Sequence, residues 1–175
     1  MISSEINNII REVLDFPKQG ISFKDITPLL MNKDISDKII SEFILRTKDL
    51  EIDAIVGIES RGFLFGFLLA NKLGIPFVPI RKSGKLPCET INFKYDLEYG
   101  SSEIEIHKND IKKNWNVLIH DDLLATGGTA CAAAELIQKL GANVAAFAFV
   151  ICLDFLNGHE KLEKYSKEII SLKKY

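Results

Sequence analysis

Two stretches of the chain follow one pattern: a short apolar run, a glycine-bearing turn, a helical stretch closed by glycine, and a second apolar run. In the first, Ala54-Ile55-Val56-Gly57-Ile58 precedes a turn, a helical pattern over 63–73, the stop Gly74, and Phe77-Val78-Pro79-Ile80. In the second, a run over 115–120 precedes a small-residue turn, a helix over 130–140, the stop Gly141 and an apolar run over 144–153. Short apolar runs read as buried strands, and strand–helix–strand units pack as parallel sheets with helices on their faces. The chain is therefore expected to be α/β, with a central mainly parallel sheet flanked by helices. Ligands of such sheets bind beyond the carboxyl ends of the strands, so the two strand-to-helix turns are where chemistry is sought.

Between the units the period changes. Ile91, Phe93, Tyr95 and Leu97 alternate with Asn92, Lys94, Asp96 and Glu98, and after Gly100 Ile104 and Ile106 alternate with charges. Period two predicts an antiparallel hairpin. It is expected to project from the sheet as a flexible arm over 81–107, with the cationic loop Arg81-Lys82-Ser83-Gly84-Lys85 at its base, able to close over a site. Residues 1–50 are expected to form a hood. A first helix carries Ile6, Ile9, Ile10, Val13 and Leu14, capped by Ser3-Ser4 and ending near Phe16-Pro17; residues 20–30 read as an ordered loop; a second helix carries Ile35, Ile39, Ile40, Phe43 and Ile44. The 175 residues fit one domain, 1–175.

Composition narrows the function. With 22 Lys+Arg against 24 Asp+Glu the net charge is −2, so no global positive field exists to hold a nucleic acid or an anionic membrane. An anionic ligand needs a local site. The longest apolar runs are too short to span a bilayer, and the first residues lack the basic and apolar regions of a secretory signal. Cys88, Cys131 and Cys152 are odd in number and lack C-x-x-C spacing, which fits reduced packing thiols of a cytoplasmic protein better than disulfides or zinc ligands.

The most informative segment is V-L-I-H-D-D-L-L-A-T-G-G-T, residues 117–129: a buried strand, two adjacent acids, and a small-residue turn opening a helix. Ala125-Thr126-Gly127-Gly128-Thr129 would offer free backbone N–H groups at a helix N-terminus, where the dipole favours an anion, and two hydroxyl donors. Asp121 and Asp122 are poor neighbours for a bare phosphate but good acceptors for two vicinal hydroxyls. Phosphate plus diol points to a ribose 5-phosphate. A Walker A loop and a G-x-G-x-x-G are both missing from the sequence.

The same segment resembles the phosphoribosyl-pyrophosphate signature of the type I phosphoribosyltransferases. F-P-K-Q-G-I-S-F-K-D-I-T-P-L-L (16–30), E-S-R-G-F-L-F-G (59–66), R-K-S-G-K-L-P (81–87) and L-E-Y-G (97–100) are similar, in order, to the adenine-specific members of that family. The resemblance covers nearly the whole chain. It implies Mg²⁺-dependent condensation of adenine with 5-phosphoribosyl 1-pyrophosphate, giving AMP and pyrophosphate, in a homodimer, with the magnesium held mainly by substrate oxygens and water and no dedicated metal residue.

The roles follow from the same resemblance. Departing pyrophosphate leaves positive charge on the anomeric carbon, which Asp121 and Asp122 stabilise through the ribose hydroxyls. Ser60 and Arg61, with Arg81, Lys82 and Lys85, would hold the pyrophosphate, and Arg81 would reach a neighbouring subunit's site. The resemblance also implies a strained Glu59–Ser60 peptide. Glu98 matches the family's catalytic acid, which manages the proton on the purine's imidazole nitrogen, and Tyr99 beside it would close with the arm. The base would lie between Phe23 and Leu124, its amino group read by backbone groups around Ile21 to Lys24. Gln19, Lys24, Ser83 and His120 depart from the family pattern. A histidine beside the acids could hydrogen-bond to them, although a satisfied near-core residue is the expectation.

Three other readings remain: a regulator that keeps the site without catalysis, a transferase acting on another purine or orotate, and a serine hydrolase using Ser60, Asp121 or Asp122, and His159. The turn Gly57-Ile58-Glu59-Ser60-Arg61-Gly62 has one residue too many for G-x-S-x-G.

Overall fold

The computed structural model describes residues 1–96 and 100–175. Its centre is a seven-stranded sheet in the order β5-β6-β4-β3-β7-β8-β9. The first strand–helix–strand unit is β3 (Ala54–Ile58), α4 (Gly62–Leu73) and β4 (Phe77–Lys82); the second is β7 (Asn116–Leu124), α5 (Gly128–Lys139) and β8 (Asn143–Cys152). Strands β4, β3, β7 and β8 are mutually parallel, as is β9 (Ile169–Lys174), a C-terminal edge strand that the sequence reading did not foresee. All five residues of β3 are buried, because helices cover both of its faces.

The two faces hold separate cores. On one, Val56, Ile119, Phe147 and Phe149 pack with the alanine-rich side of α5, whose small residues let the helix lie close. On the other, Ile55, Leu118 and Val150 pack with Phe65 and Leu69 of α4, Phe43 of α3 (Lys33–Thr47) and Ile6 of α1 (Ile2–Ile9). The hood thus shares its core with the sheet. Within α3, Asn32 caps the helix by accepting the Ile35 N–H at 3.2 Å.

The hood corrects several expectations. The first helix stops at Ile9, is capped at Met1 without a serine side-chain bond, and gives way to β1 (Arg11–Leu14). Residues 20–30 are no loop: β2 (Ser22–Asp25) pairs antiparallel with β1, and α2 (Thr27–Met31) follows. Pairing overrode helical spacing here. Arg11 opposite Asp25 and Glu12 opposite Lys24 make ion pairs at 3.5 and 2.6 Å that a continued helix could not form.

The hairpin β5 (Thr90–Asp96) and β6 (Ser101–His107) is antiparallel as expected, but it extends the sheet rather than projecting from it. Arg81 and Lys82 of β4 pair with Glu105 and Ile104 of β6, and Phe93 and Tyr95 of β5 pack against the α5 side of the core. Cys88 is exposed at a positive φ of 65°, so it is not a packing residue; Cys131 is half-buried and Cys152 buried.

His120 is fully buried, edge-on to Phe43 with ring centroids 5.4 Å apart, and neither ring nitrogen has a hydrogen-bond partner among the described residues. It is the core histidine expected and no partner of the acids. Burial lowers its pKa to about 4, a fall the nearby Ala148 backbone opposes only in part. The folded chain keeps it neutral while the unfolded chain binds a proton below its ordinary pKa of about 6.5. Stability from this group is therefore complete above that pKa and is lost as pH falls towards 4. We expect denaturant titrations to show the native chain losing about 2 kcal/mol more than His120→Leu between roughly pH 7.5 and 5; equal losses would contradict this account.

Candidate functional site

The parallel pairing of β3 with β7, Gly57 opposite His120, brings their carboxyl ends together on one sheet edge. Strand β7 runs four residues beyond the expected His120, so the two acids lie within it. Beyond Leu124 the chain turns through Gly127, at φ 80°, into α5. The Cys131 N–H donates to the Gly127 carbonyl at 2.9 Å, leaving the N–H groups of Gly128, Thr129 and Ala130 without helical partners. A small cleft is lined by Asp121 and all of Ala125, Thr126, Gly127, Gly128 and Thr129. The hairpin ties onto this turn through Tyr95, whose hydroxyl lies 3.1 Å from Thr129 Oγ1.

The turn is buttressed from behind by Gly158, which the sequence reading passed over; its only signal was the turn dipeptide Asn157-Gly158. A Cβ on Gly158 would sit 2.1 Å from the Ala125 carbonyl oxygen and 2.9 Å from the Gly127 nitrogen. One on Gly127 would sit 2.6 Å from the Gly158 carbonyl oxygen. Two backbones meet here with no room for side chains.

Asp121 is partly exposed and Asp122 buried. The Asp122 N–H donates to Asp121 Oδ1 at 2.8 Å. Burial pushes Asp121 well above the usual carboxylate range and the Asp122 charge adds to the rise. Asp122 is raised by burial too, but Arg61 pulls against it. Arg61 Nε lies 3.1 Å from Asp122 Oδ2, and its guanidinium lies 5.3 Å from the centre of the Phe23 ring. Acid, cation and aromatic, read from three separate motifs, are thus in contact. Helix α4 can approach this closely because Gly62 has no Cβ, which would lie 2.7 Å from the His120 carbonyl oxygen.

At the end of β3 the Glu59–Ser60 peptide is cis, and Ser60 is exposed. Glu59, not foreseen as a site residue, gathers the cationic loop. Its carboxylate accepts from Lys85 Nζ at 2.7 Å, from the Lys82 N–H at 2.9 Å, and from Arg81 Nε and Nη2 at 3.3 and 3.4 Å. Burial works to raise its pKa, yet these donors hold it at about 2. Arg81 therefore rests on Glu59 of its own chain. Glu105, also missed because an exposed strand face was expected there, is buried and accepts the Lys85 and Leu86 N–H groups, each at 2.8 Å. The cationic loop is pinned by two carboxylates rather than free.

Around the aromatic, Phe16 meets Phe23 edge-on at 5.3 Å. The Lys24 ammonium lies 2.6 Å from Glu12 Oε1 and over the Tyr175 ring. Among the described residues strand β2 pairs only with β1, leaving a second backbone edge over Ser22–Asp25, beside the exposed Ile21. Leu124, the expected apolar wall, lines the cleft but is 1% exposed and belongs to the α5-side core. Side chains alternate along a strand, and Leu123, which also lines the cleft, is partly exposed and packed on the hood side. Glu98 and Tyr99 lie outside the described residues. No hydrogen bond joins Ser60 to His159 among the described residues, and His159 faces Asp154 at 3.9 Å, which is no hydrolase triad.

Comparison with known proteins agrees with this fold. The phosphoribosyl transferase domain family matches residues 25–174. An adenine phosphoribosyltransferase of Christiangramia forsetii is 48% identical over 171 residues, spanning 98% of this chain and 99% of that protein. The crystal structure of the adenine phosphoribosyltransferase of Thermoanaerobacter pseudethanolicus superposes with a TM-score of 0.95 at 47% identity, over 100% of both chains. That of the Saccharomyces cerevisiae enzyme, complexed with adenine and an imino-altritol bisphosphate, gives 0.92 at 44% identity over 98% of each.

If Gly158 holds the turn as described, Gly158→Ala should weaken binding of ribose 5-phosphate by about tenfold or more, near 1.4 kcal/mol. Titration calorimetry on the folded variant measures this, and an unchanged affinity would count against the buttress.

Proposed function

The chain belongs to the phosphoribosyltransferase family, and from that membership we propose that it condenses adenine with 5-phosphoribosyl 1-pyrophosphate, releasing pyrophosphate and forming AMP. The observation that carries this reading is the contact of Asp122, Arg61 and Phe23 beside the turn 125–129, because it sets groups suited to ribose, pyrophosphate and base within one ligand's reach.

In this reading the 5-phosphate sits on the N–H groups of 125–129, supported by the Thr126 and Thr129 hydroxyls. The ribose hydroxyls donate to Asp121 and Asp122. Bond breaking at the anomeric carbon builds positive charge there, and a carboxylate field fixed beforehand stabilises that state more than the ground state. Ser60, Arg61, Arg81, Lys82 and Lys85 receive the pyrophosphate. Adenine stacks on Phe23 against Leu123, its amino group read by the free backbone edge of β2 around Ile21 to Lys24. Glu98 handles the imidazole proton, with Tyr99 closing beside it.

Magnesium fits this donor set as a guest of the substrate. Pyrophosphate oxygens and water would carry it, as Mg²⁺ keeps its waters and binds through substrate oxygens, with the Asp121–Asp122 pair nearby. When bound it neutralises charge on the leaving group.

We place the protein in the cytoplasm, where its anionic substrate is made and the exposed Cys88 thiol stays reduced. No helix among the described residues is long and apolar enough to cross a membrane. A homodimer is supported by α4, which exposes Leu64, Phe67 and Leu68, an i, i+3, i+4 stripe typical of a covered surface.

The test is an assay of nucleotide formation with Mg²⁺, phosphoribosyl pyrophosphate and, separately, adenine, hypoxanthine, guanine, xanthine and orotate. AMP from adenine alone is expected; no nucleotide from any base would leave a regulator that only binds. Asp121→Asn should lower kcat by roughly 10²-fold with the fold intact by circular dichroism. Phe67→Glu should halve the mass in sedimentation equilibrium, and a monomeric native chain would end the dimer proposal.

A further inference from the structure

Glu59 sits at a position where a carboxylate looks out of place. It immediately precedes Ser60 and Arg61, at the edge where a highly charged anion is to bind, and its side chain is only 10% exposed. Like charge there should repel the ligand unless the carboxylate serves another purpose. Its hydrogen bonds show one. Arg81, Lys85 and the Lys82 backbone come from β4 and the loop after it, some 22 to 26 residues along the chain, yet all converge on these two oxygens. Without an acceptor the two cations would repel each other and lie out in water, since long basic side chains lose rotamer entropy when fixed.

We infer that Glu59 is a positioning residue that assembles the pyrophosphate-binding cations before the substrate arrives. The inference rests on the transferase reading above. Glu59 does not touch substrate; it acts through Arg81 and Lys85, fixing both so that the pyrophosphoryl group, of this subunit or of the neighbouring one, meets cations already oriented. Glu105 completes the arrangement from the other side, fixing the loop backbone through the Lys85 and Leu86 N–H groups while leaving the Lys85 ammonium to Glu59. The gain in local positive charge from two cations exceeds the one negative charge spent, and a prepaid orientation costs the ligand less on binding.

The test measures binding directly. In titration calorimetry, Glu59→Gln should weaken magnesium pyrophosphate by about tenfold, the scale of one lost charge-assisted hydrogen bond, with ribose 5-phosphate affinity unchanged. In kinetics the KM for phosphoribosyl pyrophosphate should rise similarly while the KM for adenine holds. In an Arg81→Ala, Lys85→Ala background, Glu59→Gln should have no further effect on pyrophosphate. Tighter or unaltered pyrophosphate binding in Glu59→Gln, or an equal loss in that background, would overturn the inference. If Glu59→Gln does not fold, Glu59→Asp, which shortens the reach by one methylene, should show the same selective weakening, and an unchanged pyrophosphate affinity there would overturn it as well. A native chain that binds both ligands but makes no AMP would instead remove the transferase reading alone.

Discussion

Strands β3 and β7 lie side by side and parallel, from Ala54 opposite Val117 to Gly57 opposite His120, and each part of the site depends on that pairing. It places two strand ends, and the helix N-termini that follow them, against one another. The cost is crowding. Gly57 would meet the Phe77 ring at 2.6 Å if it carried a Cβ, and Gly62 would meet the backbone of β7, so the strand-to-helix turn of the first unit can close only on small residues. The second unit meets the same limit where Gly127 and Gly158 touch. Sheet geometry, rather than ligand contact, accounts for these glycines.

Charge is the second constraint. Asp122, Glu105 and Glu59 are buried or nearly so, and a buried carboxylate without partners costs several kcal/mol. Each is offset differently: Asp122 by one guanidinium, Glu105 by backbone N–H groups and the Thr90 hydroxyl, Glu59 by two cationic side chains and an N–H. These solutions link the elements. Arg61 cannot leave Asp122 without a replacement charge, and a ribose hydroxyl can supply only a neutral donor, so the protonation of the acids and the position of Arg61 are coupled.

The sequence made the two strand–helix–strand units, the hairpin and the phosphate turn legible because periodicity and glycine stops are local signals. It misread residues 11–25, where the spacing of Val13 and Leu14 fits a helix but the ion pairs Arg11–Asp25 and Glu12–Lys24 select a hairpin. The choice between Leu123 and Leu124 as the apolar wall turns on which face of β7 a residue takes once the strand runs on through the acids, and that is not a local signal. Glu59 and Glu105 were missed for a related reason. Each lies on a charged-looking surface in one dimension, and only the pairing of β4 with β6 folds the cationic loop over them.

The two anionic ends of the proposed substrate are met by different chemistry, and the difference suits the reaction. The 5-phosphate stays on the sugar in substrate and product alike, and in the proposed reading it would face a neutral cradle of backbone dipoles fixed by Gly127, Gly158 and the Tyr95–Thr129 contact. Such a cradle has no side chain to reorganise. The pyrophosphate must leave, and it faces long side chains whose charges have another acceptor in Glu59. A cation that keeps its carboxylate partner when its anion departs is not left bare, so release would not strand unpaired charge at the sheet edge. In the proposed reaction the rigid half of the site would define where the anomeric carbon sits, and the tethered half would let the leaving group go.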